Sequence, residues 1–349
     1  MTETQDVLIE AKGALGHIRL NRPKAINSLT LEMVKKIQAA LSLFEKDPAI
    51  GLVLVTGEGE RGLCAGGDIR ALYDHGRDGS GFGETFFREE YRMNAHIAGY
   101  RKPYVVVMDG ITMGGGVGIS AHGTVRIVTE RTKMAMPETG IGFFPDVGGT
   151  WLLSRSPGEI GTFIGLTGEA FGGADAIYAG FADEYVQSGE IAALIDKLSA
   201  LPAQVSLDDV RNVVKSFASA VSALLALHRT EIDQMFAFDT VEQILAALQA
   251  SNDEFAKSAL KVLAQKSPRS MKVALKLLRL ARHDRTLQES LQREFDAAHT
   301  VLASDEFYEG VRAAVVDKDR TPKWSPVSVE EVTKSMVDAY FTPSPEKLF

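Results

Sequence analysis

Cysteine is almost missing from this chain. Among 349 residues only Cys64 is present, which excludes an internal disulfide and any cysteine-rich zinc site and suits a reducing compartment. Basic residues are the minority, 38 Lys and Arg against 46 Asp and Glu for a net charge of −8. A nucleic-acid groove or an anionic membrane surface as main partner requires the opposite balance. No apolar run approaches the roughly 18 residues of a membrane span, and the opening Met1 to Glu10 is polar and acidic, without the pattern of a targeting segment. The expectation is a soluble, cytoplasmic protein. Three catalytic signatures are absent as well: a Gly-x-Ser-x-Gly elbow, a His-Glu-x-x-His pair and a Walker A sequence. The seven histidines are scattered, so neither a serine-hydrolase triad nor a metal site is expected.

What is present is a globular composition, 45% hydrophobic and 24% charged, in a chain long enough for one large or two ordinary domains at roughly 150 residues each. Glycine is dense through Gly180 and sparse beyond it. Short β-rich runs lie at Val7–Ile9, His17–Leu20, Leu52–Thr56, Tyr104–Met108 and Val125–Thr129. Between them fall helical patterns at Leu29–Phe44, with Thr30 as a cap, at Phe82–Tyr100 and at Ala174–Ala179. Strands alternating with helices predict an α/β core over residues 1–200, carrying the active site. Residues 201–349 read as a helical region, with Ser267-Pro268 as a helix start ahead of Met271–Leu280 and Leu287–Leu302. The tail Thr342–Phe349, with Pro343 and Pro345, is expected to fray.

Two glycine patterns imitate dinucleotide fingerprints. Gly57-x-Gly59-x-x-Gly62 follows a strand, but Glu58 and Glu60 fill it and would repel a pyrophosphate; a solvated turn is the better reading. Gly116-x-Gly118-x-x-Ala121 follows another strand and opens a helix, which exposes backbone N–H groups to an anion or to developing negative charge. Cys64 has no histidine close behind it and reads as a small buried residue rather than a nucleophile.

Three segments carry the chemistry: Cys64-Ala-Gly-Gly-Asp-Ile-Arg70, Gly110-Ile-Thr-Met-Gly-Gly-Gly-Val-Gly118, and Met136-Pro-Glu-Thr-Gly-Ile-Gly-Phe-Phe-Pro-Asp-Val-Gly-Gly149. In order and separation, together with the opening His17–Asn27, they resemble the crotonase (enoyl-CoA hydratase/isomerase) superfamily over residues 17 to about 190. The resemblance implies a crotonase-like ββα spiral core, a CoA thioester substrate and an oxyanion hole made by the N–H groups of Gly67 and Gly115. Glycine allows such close backbone approach to a carbonyl, and one oxyanion donor is typically worth about 2.7–4 kcal/mol. Ala25, Asp68 and Ile69 correspond to substrate-binding positions that act through their backbone. CoA is part of the substrate, so no separate cofactor is expected.

One departure decides the chemistry. Hydratases of this superfamily hold water between two glutamates; the second corresponds to Glu138, but the first corresponds to Gly118, which has no side chain. Asp146 adds a carboxylate eight residues beyond Glu138. With Phe86-Phe-Arg-Glu-Glu-Tyr91 and the C-terminal stretch Phe307–Trp324, this pattern resembles the 3-hydroxyisobutyryl-CoA hydrolases, thioesterases of valine breakdown, from about residue 17 to 334. That resemblance implies catalysis by Glu138, Asp146 and Glu90. Glu138 either attacks the thioester or activates water, Asp146 positions it, and Glu90 reaches the acyl hydroxyl or the water. Rival readings are a hydratase or isomerase of the same superfamily, a non-catalytic CoA-binding module and a nicotinamide oxidoreductase. A short hydroxyacyl-CoA is the expected partner, nucleic acid and membrane are not, and a homo-oligomer is possible from the resemblance.

Overall fold

The computed structural model describes residues 5–349; the first four residues of the polar opening lie outside the described residues. The chain divides into two compact units, one of Met1–Gly67, Arg92–Met134 and Phe171–Leu224, the other of Asp68–Tyr91, Ala135–Ala170 and Leu225–Phe349.

The first unit is built on a sheet whose strands are β1 (Val7–Lys12), β2 (Leu15–Leu20), β3 (Leu52–Gly57), β5 (Tyr104–Met108), β7 (Val125–Val128) and β9 (Glu184–Tyr185), in that spatial order. A smaller sheet has the order β4 (Gly62–Cys64), β6 (Ile111–Met113), β8 (Lys133–Ala135). β1 and β2 are antiparallel and every later neighbour in the large sheet is parallel, with Leu15 opposite Leu52 and Val53 opposite Tyr104. The parallel strands β3 and β5 read Leu-Val-Leu-Val and Tyr-Val-Val-Val-Met because both faces are covered. Leu15, Leu52, Leu54, Val105, Val107 and Ile127 form one buried cluster that Leu194, Leu198, Val210 and Val214 close from the helices Ile191–Ser199 and Leu207–Lys215. The helix Leu31–Lys46 begins as expected, with the Thr30 side chain accepting from Met33 N.

Strand β4 begins at Gly62, so no helix opens after Gly57-x-Gly59-x-x-Gly62. The second glycine pattern does start a helix, but only the single turn Gly115–Gly118. Its dipole is correspondingly slight, because partial charge at a terminus accumulates over several turns; what the turn offers is its free amides.

The second unit is mainly helical. Pro268–Ala281 starts on Ser267, whose hydroxyl accepts from Ser270 N, and buries Met271, Ala274, Leu275 and Leu278 along one side. Leu287–Ala303 buries Leu287, Leu291, Phe295 and Ala298. Phe143 and Phe144 stack at 4.5 Å between ring centroids, and Phe143 packs on Phe87 and Phe307, so these rings form core. The C-terminal tail departs from expectation. It is docked rather than frayed: Leu348 is buried, its N–H donates to Gln292 Oε1 at 2.8 Å, and Ser344 donates from backbone and hydroxyl to Asp296. The two prolines suppress helix, not attachment. Among the described residues no helix is long and apolar enough to cross a membrane.

Candidate active site

Three carboxylates of the second unit come together from two separate stretches of sequence, Glu138 and Asp146 from one and Glu90 from the other. Glu138 opens a 3-10 turn, Glu138–Ile141, whose end is fixed by Gly142 at φ 73°. A side chain at Gly142 would meet Glu306 O at 2.4 Å, so only glycine completes the turn. Phe143 N donates back to Glu138 O at 3.0 Å and Ser267 N donates to Thr139 O at 3.0 Å, which locks the backbone of the turn. Asp146 stands at the head of a second turn, in which Val147 and Gly148 take positive φ and Gly149 N donates to Asp146 O at 2.6 Å. Glu90 comes from the helix Phe82–Ala98.

All three are buried, with relative exposures of 6% for Glu138, 5% for Asp146 and 2% for Glu90. Glu138 Oε2 and Glu90 Oε1 have no hydrogen-bond partner among the described residues. Unpaired buried carboxylate oxygens are costly, and atoms left in that condition are what a substrate or water would satisfy. Burial, reinforced by the charge of Asp146, pushes both Glu138 and Glu90 well above the usual carboxylate range. Burial also pushes Asp146 up to about 7, against the lowering effect of a hydrogen bond from Tyr91. Near neutrality such a group of facing carboxylates retains protons among its members, the condition under which one acts as acid while another acts as base.

Two residues without a role in the sequence reading complete the cluster. The Tyr91 hydroxyl donates to Asp146 Oδ2 at 2.7 Å. Glu294, fully buried on the helix Leu287–Ala303, accepts from Gly148 N at 2.7 Å and Thr150 N at 3.1 Å, and from the Thr150 hydroxyl. Burial pushes Glu294 up to about 8 despite these donors. Tyr91 closes the Phe86–Tyr91 motif, and adjacency to Glu90 is its only signal in the sequence. For Glu294 the signal was a carboxylate on the apolar stripe of an amphipathic helix.

The oxyanion candidates lie in the first unit. The Gly66–Gly67 and Gly114–Gly115 segments run side by side: a side chain on Gly66, at φ 111°, would lie 3.3 Å from Met113 O and 3.6 Å from Gly115 N, and one on Gly116 would strike Cys64 O at 2.3 Å. Gly115 is the first residue of its helical turn, where an amide has no intrahelical acceptor. Cys64 is buried, with its sulfur among the Gly66 backbone atoms, a packing position. Ala25 ends the exposed 3-10 turn Pro23–Ala25; Asn27 anchors the chain just beyond it, accepting from Arg22 N and donating to Glu58 O and Gly62 O. In the second unit Asp68 caps the helix Ile69–His75 by accepting from Ala71 N at 3.3 Å, so its side chain is engaged and its backbone is what a ligand would read. Gly118 is buried within its turn. Among the described residues no group of three or more His, Cys, Asp or Glu side chains is placed to hold a metal ion.

A mixed α/β fold with a predominantly parallel sheet, paired glycine turns and buried carboxylates defines a crotonase-like protein. The family model described as enoyl-CoA hydratase/isomerase matches residues 15–341, and the chain belongs to that family. It is 42% identical over 346 residues to the rat protein named 3-hydroxyisobutyryl-CoA hydrolase, mitochondrial, covering 97% of this chain and 89% of that one. The human protein of the same name is 40% identical over 343 residues, with 97% and 88% covered. Among solved structures, a carnitinyl-CoA dehydratase from Mycobacterium thermoresistibile superposes with a TM-score of 0.94 at 45% identity, covering 99% of both chains. An enoyl-CoA hydratase from Rhodobacter sphaeroides 2.4.1 gives 0.91 at 41% identity, covering 99% of this chain and 100% of that one.

Proposed function

We propose that this protein hydrolyses the thioester of a short 3-hydroxyacyl-CoA, 3-hydroxyisobutyryl-CoA in the first place, to the free hydroxy acid and CoA. The observation that carries the reading is the buried group of Glu138, Asp146 and Glu90 in a chain whose position 118 is glycine. Hydration across a double bond needs a second carboxylate to share the water, whereas thioester hydrolysis needs one group acting on the carbonyl and a partner to manage its proton. The names of the rat and human relatives support the same assignment. The (de)hydratase names of the two solved structures favour the second reading, an enoyl-CoA hydratase, and Gly118 opposes it.

In this mechanism the Gly67 and Gly115 amides bind the thioester oxygen, which gains negative charge as the carbonyl becomes tetrahedral. Ala25, Asp68 and Ile69 meet CoA through their backbone. Glu138 either attacks the carbonyl carbon, breaking the C–S bond and expelling CoA thiolate to leave a mixed anhydride that water then hydrolyses, or takes a proton from water that attacks the carbonyl and expels CoA thiolate directly. Asp146, held by Tyr91, orients Glu138 and receives its proton, and Glu90 binds the acyl hydroxyl or the water. No cofactor enters beyond the CoA of the substrate. The place in valine breakdown follows the substrate. Cytoplasmic location belongs to the same proposal, whereas the relatives are named mitochondrial, and cell fractionation decides between the two.

The test is free-thiol release from 3-hydroxyisobutyryl-CoA beside hydration of crotonyl-CoA, with Glu138→Gln as control. Thiol release that disappears in the variant supports the hydrolase; hydration without thiol release returns the protein to the hydratases.

A further inference from the structure

Glu294 is the one buried carboxylate of the cluster that the proposed mechanism leaves idle, and it is fully enclosed on a helix more than 140 residues along the chain from the groups it holds. Its contacts are specific. Oε2 takes the N–H of Gly148, and Oε1 takes both the N–H and the hydroxyl of Thr150. Gly148 is the N-cap of the helix Gly149–Leu153 and has no side chain to cap it, so Glu294 performs the capping from a distant helix. The segment it grips is the turn that presents Asp146, whose backbone passes through two successive positive-φ residues, Val147 at 53° and Gly148 at 76°. A non-glycine residue such as Val147 persists there only when its surroundings over-determine the backbone. From the other side, Tyr91 fixes the Asp146 carboxylate.

We propose that Glu294 is a positioning residue of the hydrolase, clamping the turn from Asp146 to Thr150 so that the Asp146 carboxylate is held toward Glu138. The assignment rests on the thioesterase reading for its role in turnover, but the clamp itself is a property of the fold.

Glu294→Gln keeps the shape and one acceptor oxygen, and Glu294→Ala removes the clamp. Misplacing a catalytic group by an ångström costs on the order of 100-fold. The Gln variant is therefore expected to lose about 10-fold to 100-fold in kcat for thiol release, with KM changed less than about threefold, and the Ala variant to lose more. A fall in kcat with KM nearly unchanged is the signature of a misplaced catalytic group, which a general loss of folded protein does not give per active site. Amide hydrogen exchange, which needs no substrate, is expected to speed up at least about tenfold in the peptide spanning residues 146–151 in either variant, while the flanking helices stay protected. If Glu294→Ala does not fold, Glu294→Gln carries the test alone.

Unchanged exchange in that peptide overturns the clamp, and a folded variant with parental kcat overturns the positioning role. A rise in KM alone also overturns it. If the parent protein proves to hydrate crotonyl-CoA and releases no thiol, the thioesterase reading fails by itself. The same kcat and exchange comparison on hydration then judges the clamp separately.

Discussion

Asp146→Asn should stabilise the protein, and do so increasingly as pH rises. The amide has the shape of the carboxyl and still accepts the Tyr91 hydroxyl, which now sits 2.7 Å from Asp146 Oδ2. What it removes is a charge that the fold holds at a cost. Asp146 has an ordinary value of 3.8 and is pushed up to about 7 by burial, so between those values the folded protein binds a proton that the unfolded chain has released. Stability is therefore lost as pH climbs through that window, and the Asn variant does not share the loss. At about 1.36 kcal/mol per pH unit the full interval corresponds to about 4 kcal/mol, of which about 2–3 kcal/mol falls between pH 5 and pH 8. Urea unfolding of parent and variant side by side at pH 5, 6, 7 and 8 measures it. The variant should gain on the parent at each step while its thiol release falls by at least about 100-fold. A stability difference that is flat with pH, or that turns against the variant as pH rises, would refute the account of Asp146 as an uncompensated buried acid.

Tyr91→Phe removes a donor to a charged acceptor, a loss of about 1.5–3 kcal/mol. It should lower kcat by about 10-fold to 100-fold and move the acid limb of the pH profile upward, since the hydroxyl holds Asp146 down. Gly116→Ala places a methyl 2.3 Å from Cys64 O; it should cost about 1–3 kcal/mol of stability and reduce kcat more than it raises KM, because the backbone that must yield carries the Gly115 amide. Removing Pro343–Phe349 exposes the seat of Leu348 and frees Gln292 and Asp296. It should lower stability by about 2–3 kcal/mol, visible as a shift in the urea midpoint, whereas a truly frayed tail would leave the midpoint in place.

Much of this architecture was legible because it is written locally. Leu-Val-Leu-Val at residues 52–55 and Tyr-Val-Val-Val-Met at 104–108 are buried on both faces and read as strands with few alternatives. Thr30 and Ser267 announce helices through a hydroxyl that accepts from the third residue beyond. Glu138, Asp146 and Glu90 were reached through motif order, and the structure gathers them into one buried group. Residues defined only by tertiary contact were beyond a sequence reading. Glu294 shares no segment with Gly148 or Thr150, and Leu348 reads as the end of a proline-containing tail until the helix Leu287–Ala303 is beside it. The Gly116-x-Gly118 pattern opens a helix as read, but the helix ends after the single turn Gly115–Gly118, because three glycines in four residues lack the propensity to extend it.

One substrate tests the central claim most directly. 3-Hydroxyisobutyryl-CoA leaves as free CoA and acid if its thioester is hydrolysed, and as the corresponding unsaturated thioester if its hydroxyl is eliminated as water. Quantifying both products from a single incubation, with the parent protein and with Glu138→Gln, separates the two chemistries at the same site. The account predicts free thiol and hydroxy acid in equal amounts, no unsaturated thioester, and neither product with the variant. Unsaturated thioester without free thiol would contradict it.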